Sequence, residues 1–179
     1  MKIFGIDPGS ARTGYGCIES TGSRHRLIIC GSLAAPSRAA FPEKLQTIHA
    51  GLCSLLERHR PDWVAIEDIF HARNVRSALK LGHARGVALL AASQSGVPVV
   101  EYSPAEIKRA VVGYGRAEKP QVQEMTRLLL GLDTRPTPHD AADALAVALC
   151  HGHASSSAIG RVATDAARPT PRSWRHYRP

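Results

Sequence analysis

The sequence has four cysteines and no CxxC pair among them. Cys17, Cys30, Cys53 and Cys150 are scattered through apolar or helix-patterned runs. That spacing excludes a disulfide framework or a zinc ribbon and reads as buried, reduced thiols. The chain also lacks any apolar run near the ~20 residues that cross a bilayer as a helix. Met1-Lys2-Ile3-Phe4 leads directly into Asp7 and leaves no room for a signal peptide, so the cytoplasm is the expected compartment and no membrane partner is expected. Acids are the scarcer charge, 15 against 23 Lys and Arg, for a formal net charge of +8. Such a balance favours polyanionic partners, nucleic acid first. Residues 152–179 carry five Arg and one Asp, leaving 18 basic and 14 acidic residues in 1–151, so each part contributes +4. With 179 residues, 44% of them apolar, the chain can bury a core of its own.

The patterning predicts an α/β fold. Residues 2–7 read as a buried strand closed by the turn signal Asp7-Pro8-Gly9-Ser10. Residues 13–20 and 25–34 read as two strands joined by Thr21-Gly22-Ser23, an antiparallel hairpin. Leu45, Ile48, Leu52, Leu55 and Leu56 recur on one face of a helix over 42–59, ended by Pro61-Asp62. A strand over 63–68 follows, then a helix over 74–93. That helix carries Gly82 and Gly86 four apart and a separate basic face of Arg76, Lys80 and His83. A strand over 97–102 precedes Ser103-Pro104-Ala105-Glu106, a capping box with proline at the first helical position. A helix is predicted over 119–131, and Thr137-Pro138-His139-Asp140 repeats the cap pattern before a last helix ending near 151. One domain is expected over 1–152. Residues 153–179 form a basic tail, expected to be disordered from 155 on. The element order implies a mixed five-stranded sheet flanked by helices, with strands 2–7 and 63–68 parallel and ending on one edge. Open α/β sheets place their sites at that edge.

Four acids stand at the ends of these elements. Asp7 ends Ile3-Phe4-Gly5-Ile6, and Glu67 ends Trp63-Val64-Ala65-Ile66 with Asp68 beside it. Asp140 and Asp143 open the apolar run to Leu149. Acids among core elements are costly unless paired, hydrogen-bonded or metal-bound. Asp7 has an alternative role as a turn former before Pro8-Gly9. Asp140 would occupy the third position of a capping box, where an acid favours the helix terminus anyway. Strand alternation sends Glu67 and Asp68 to opposite faces without saying which is functional. Asp143 has no such excuse; it lies past the capping turn, among Ala and Leu. Three apart on a helix, Asp140 and Asp143 share a face and can hold one ion together. Mg²⁺ and Mn²⁺ suit carboxylate donors. Two such ions about 3.5–4 Å apart serve in-line phosphoryl displacement, with Asp7, on the central strand, the natural bridging ligand. His139 is adjacent, but neighbouring helix positions diverge by roughly 100°. Gathered like charges raise pKa values, so at least one acid is expected to stay protonated near neutral pH without metal. An acidic metal site in a basic chain points to an enzyme acting on phosphodiesters.

The ordered blocks Asp7-Pro8-Gly9-Ser10, Thr13-Gly14-Tyr15-Gly16, Ala65-Ile66-Glu67, Ser77-Ala78-Leu79-Lys80-Leu81-Gly82, Ala84-Arg85-Gly86-Val87, Val111-Val112-Gly113, Ala117-Glu118-Lys119 and Asp140-Ala141-Ala142-Asp143-Ala144-Leu145-Ala146 resemble the RuvC Holliday-junction resolvases from about residue 1 to 152. The resemblance implies a ribonuclease H-like nuclease domain, a homodimer, and Mg²⁺- or Mn²⁺-dependent nicking of two opposed junction strands in recombination and repair. It places the family's four metal ligands on Asp7, Glu67, Asp140 and Asp143, choosing Glu67 over Asp68. Some members carry His at the position of Asp140. It places the junction-contacting aromatic on Phe70 and the functional lysines on Lys108 and Lys119, and it implies a branch-migration motor of RuvA and RuvB type as partner. A ring at Phe70, three residues past Glu67, can stack on an unpaired base, worth roughly 1–3 kcal/mol per base. Either lysine can neutralise a phosphate or stabilise transition-state charge. Arg73, Arg76 and Lys80 are expected to hold backbone phosphates. An ATP-binding protein of the actin and sugar-kinase type, suggested by the first turn alone, would need a second large domain.

Overall fold

A computed structural model describes residues 1–68 and 75–159. Its strands are β1 (Lys2–Asp7), β2 (Arg12–Thr21), β3 (Arg24–Ala34), β4 (Trp63–Glu67) and β5 (Val99–Tyr102). Its helices are α1 (Phe41–His59), α2 (Val75–Gln94), α3 (Pro104–Val112), α4 (Lys119–Leu129) and α5 (His139–Ile159). The sheet order is β3-β2-β1-β4-β5. The β1–β2 and β2–β3 pairs are antiparallel, and β1–β4 and β4–β5 are parallel. This is the mixed five-stranded sheet that the alternation of patterns predicts.

Strand alternation divides the interior into two cores. Phe4, Ile6, Val64 and Ile66 face α1 and α2, where Ile48, Leu52, Leu56 and Ala88 are buried. Ile3 and Ala65 face the other way, onto α5 with α3 and α4, among Leu145, Leu149, Ile107 and Val122. Each fully buried Leu or Ile contributes about 1.5–3 kcal/mol relative to exposure. α5 crosses β1 and β2 almost backbone to backbone. A Cβ added at Gly5 would overlap the Ala144 carbonyl oxygen, and one at Gly14 would overlap that of Asp140. Only glycine permits this approach.

Local chemistry sets several boundaries. The Glu43 carboxylate accepts from the Ala40 N–H at 2.9 Å at the start of α1, and Arg60 closes that helix in the left-handed conformation ahead of Pro61. Ser103 and Glu106 form the expected box on α3. α5 departs from expectation at both ends. It opens at His139, so Asp140 is its second residue and the Thr137 box is not what begins it. It also continues to Ile159, past the end expected near 151. Gly152 reads as a breaker in sequence, but here it lies inside the helix against His25 and Ser20 of the sheet. The serines beyond it are accommodated because Ser155 and Ser156 donate to the carbonyls of His151 and Gly152. Residues 160–179 lie outside the described residues. All four cysteines are unpaired; Cys17 and Cys150 are buried, Cys30 and Cys53 only partly so. Among the described residues no helix is long and apolar enough to cross a membrane.

Candidate metal centre

β1 and β4 are parallel neighbours, so their C-terminal ends open on one edge of the sheet. Glu67 shares the α5 face with Ala65, whereas Asp68 turns to the α2 face. The first turns of α5 run over the same edge. Carboxylate oxygens of Asp7, Asp140 and Asp143 all lie within 4.8 Å of one another. Glu67 joins them through a side-chain hydrogen bond with Asp7. Asp7, Glu67 and Asp143 line a cavity of about 330 Å³, together with Lys108 from α3 and Lys119 from α4.

The electrostatics follow from this crowding. Burial, then the charges of Glu67 and Asp143, push the Asp7 carboxyl up to about 8. Without a cation Asp7 therefore keeps its proton near neutrality and donates it to Glu67. Burial also raises Glu67, a rise opposed by the bond from Asp7 and by the charges of Lys119 and Lys108. Lys119 Nζ lies 2.5 Å from Asp143 Oδ2. Burial alone would lower that ammonium, but the hydrogen bond and charge of Asp143, with Asp7 and Asp140 behind it, raise it instead. A pocket of hard oxygen donors that holds a proton and draws in a lysine has the chemistry of a divalent-cation site.

The other expected site residues are distributed more widely. Arg76 and Lys80 are exposed on α2, outside the acidic cavity, and the Lys80 ammonium sits 5.8 Å from the centre of the Phe41 ring. Phe70 and Arg73 lie outside the described residues. His139 is exposed and is not part of the carboxylate cluster. One cation escaped the sequence reading. Arg12 Nε lies 3.8 Å from Asp140 Oδ2. Its signal was topological: an antiparallel hairpin returns the start of β2 to the end of β1, beside Asp7.

Comparison with known proteins decides the lineage. The family model described as crossover junction endodeoxyribonuclease RuvC matches residues 3–151. The chain belongs to the RuvC family. RuvC proteins of Chloroflexus aurantiacus and Pelotomaculum thermopropionicum are 52% and 50% identical over 153 residues, spanning 86% of this chain and 93% of each relative. Thermus thermophilus RuvC matches with a TM-score of 0.81 at 37% identity, over 88% of this chain and 97% of that one. A structure of T. thermophilus RuvC in complex with Holliday junction substrate matches with a TM-score of 0.80 at 35% identity, over 88% and 96%. The fold is thus the ribonuclease H-like fold of RuvC resolvases, as expected. As a RuvC-family member the chain is a crossover junction endodeoxyribonuclease, a DNA-hydrolysing enzyme of recombination. RuvC nucleases depend on divalent metal, and the acidic cluster supplies donors of the required kind.

Proposed function

We propose that this chain resolves four-way DNA junctions as a homodimer, nicking two opposed strands with two Mg²⁺ ions per active site and Mn²⁺ as a working substitute. The observation that carries this reading is the gathering of Asp7, Asp140 and Asp143, with Glu67 hydrogen-bonded to Asp7, at a cavity that Asp7, Glu67 and Asp143 line together with Lys108 and Lys119. In the proposal Asp7, Glu67, Asp140 and Asp143 would together hold the ions. Metal held there would supply Lewis acidity for an in-line phosphoryl displacement. To hold an ion Asp7 would have to be the carboxylate, without the proton it otherwise keeps. Lys119 leaves Asp143 and turns its charge toward the phosphate oxygens as negative charge develops there. Lys108 holds the flanking phosphate. Phe70 stacks on a base opened at the crossover, while Arg73, Arg76 and Lys80 grip backbone phosphates and set affinity without reading sequence.

A homodimer suits a junction of two-fold symmetry, because an isologous pair presents two sites to symmetry-related strands. The outer stripe of α2 supports it. Val75 is 76% exposed and Leu79 60%, and they share a face with Gly82 and Gly86, beside which a Cβ would meet nothing within 4 Å. Apolar side chains alternating with glycine invite close helix approach. The proposal includes a branch-migration motor of RuvA and RuvB type as partner, a cytoplasmic location, and a basic C-terminal stretch that adds affinity for DNA.

The test is cleavage of fixed and mobile four-way junctions beside linear duplex, with Mg²⁺ or Mn²⁺ varied. Paired nicks in the junctions alone, lost in Asp7→Asn and Asp143→Asn variants that still bind the junction, are expected. Full cleavage by either variant, or intact mobile junctions after long incubation of wild type with Mn²⁺, would sink the proposal.

A further inference from the structure

The four acids are held by the elements around them. Asp7 ends a strand flanked by β2 and β4, and Asp140 and Asp143 ride on a helix whose backbone rests on Gly5 and Gly14. Glu67 ends β4, which lies between β1 and β5, one residue before the last described position of that segment. Beyond its pairing with Tyr102, it is supported by the residue next to it. The Asp68 N–H donates to the Tyr102 carbonyl at 2.8 Å, which carries the β4–β5 ladder one step beyond Glu67. The Asp68 side chain points to the opposite face, where Oδ1 forms an ion pair with Arg85 Nη2 of α2 at 3.2 Å. The same nitrogen donates to Glu101 Oε2 of β5. Glu101 pairs in register with Ile66 and shares its α2 face. One guanidinium thus pins two adjacent strands at the level where Glu67 leaves the sheet.

The pin is partly withdrawn from water. The Arg85 side chain is 26% exposed, and its Nε is buried without a hydrogen-bond partner. Among the described residues, Arg85 is the cation paired with both Asp68 and Glu101. Without it two carboxylates would face each other unneutralised at the end of β4, and their repulsion would act on the peptide that fixes Glu67.

We propose that Arg85 is a positioning residue of the metal centre, setting the height and direction of Glu67 through Asp68 and Glu101. The inference rests on Glu67 being a metal ligand, as in the proposed function. Arg85 touches neither metal nor DNA in this scheme; it acts through its neighbour. Partners in the outer shell of a metal site typically change affinity by about 10–100-fold when removed. Full-length Arg85→Met should therefore bind Mn²⁺ about tenfold more weakly by calorimetry without DNA. Its kcat on a mobile junction should fall at limiting Mg²⁺ and recover at excess, with the junction KM unchanged. Arg85→Lys, which keeps one cation in place, should recover most of the affinity. Asp68→Asn weakens the clamp from its other end, keeps Arg85, and should shift Mn²⁺ binding in the same direction, so the test survives misfolding of Arg85→Met. A purely structural Arg85 would lower the melting temperature and leave the Mn²⁺ isotherm of the folded protein alone; isotherms within about twofold of wild type in both Arg85→Met and Asp68→Asn overturn the inference. Glu67→Gln separates the two levels. If it binds Mn²⁺ like wild type, the ligand role of Glu67 fails and this inference with it. If it loses Mn²⁺ while the Arg85 and Asp68 variants do not, only the positioning role fails.

Discussion

Asp7→Asn should abolish cleavage and yet make the metal-free protein more stable. The folded state holds the Asp7 carboxyl at about 8 against an ordinary value of 3.8. A group whose pKa rises on folding favours the folded state fully below its unfolded pKa and loses that advantage as pH climbs toward the folded one. Between 3.8 and about 8 the unfolded chain releases a proton that the folded chain keeps. At 1.36 kcal/mol per unit, the penalty on folding near pH 7 is on the order of 4 kcal/mol, and near pH 5 it is about 1–2 kcal/mol. Asparagine is neutral in both states and can still donate to Glu67. Some of the gain will be lost to relaxation among the remaining acids, so ~2–4 kcal/mol is expected near pH 7. For a chain of this size that amounts to about 5–15 °C in melting temperature. The assay is thermal unfolding of both proteins in excess chelator at pH 5 and pH 8, repeated with Mg²⁺. In chelator the variant should lead, by more at pH 8. With Mg²⁺ the order should close or reverse, because ligand bound only to the folded wild type adds about 2.7 kcal/mol at a hundred times its Kd. A variant no more stable than wild type at pH 8 without metal would refute the repulsion argued for the site.

Further outcomes follow from other groups. Lys119→Ala should retain junction binding and lose cleavage on the order of 10²-fold, measured in single-turnover assays, if its charge serves the transition state. His25 is buried on β3 with neither ring nitrogen hydrogen-bonded, and burial first, then His153, depress its pKa. The unfolded chain therefore takes up a proton the folded chain resists, and stability should fall as pH drops through about 6.5. His25→Phe should flatten that fall in urea titrations from pH 7.5 to pH 5; an unchanged slope would exclude His25 as its source. Deleting 160–179 removes five Arg and one Asp, and should weaken junction binding and flatten its salt dependence while leaving the preference for junction over duplex unchanged in competition assays.

Some of the centre was legible from sequence because chemistry left no alternative. Asp143 stands where neither a turn nor a cap explains an acid, and it is only 17% exposed, paired with Lys119. The hairpin and the parallel β1–β4 pair follow from turn residues and connection lengths, and with them the edge on which the acids meet. What could not be read depends on partners distant in sequence. Glu67 and Asp68 are indistinguishable until the helix over each face is known; α5 covers one and Arg85 takes the other. The continuation of α5 was hidden because Gly152 and the serines after it disfavour helix locally, whereas packing on His25 and Ser20 and a bond from Ser156 to the Gly22 carbonyl favour it. Arg12 was missed because its meeting with Asp140 needs both the β1–β2 hairpin and the placement of α5.

The bare strands under α5 have a consequence for how this enzyme can vary. The helix that presents Asp140 and Asp143 is separated from β1 and β2 at Gly5 and Gly14 by no side chain at all. Its height above the sheet is a spacing with no slack. A single methyl group at Gly14 would meet the backbone of Asp140 itself and lift both acids away from Asp7. Replacing an acid alters one carboxylate, whereas adding a methyl group beneath the helix would shift the whole array. Two positions that carry no functional group of their own thus calibrate the distances between the groups that do.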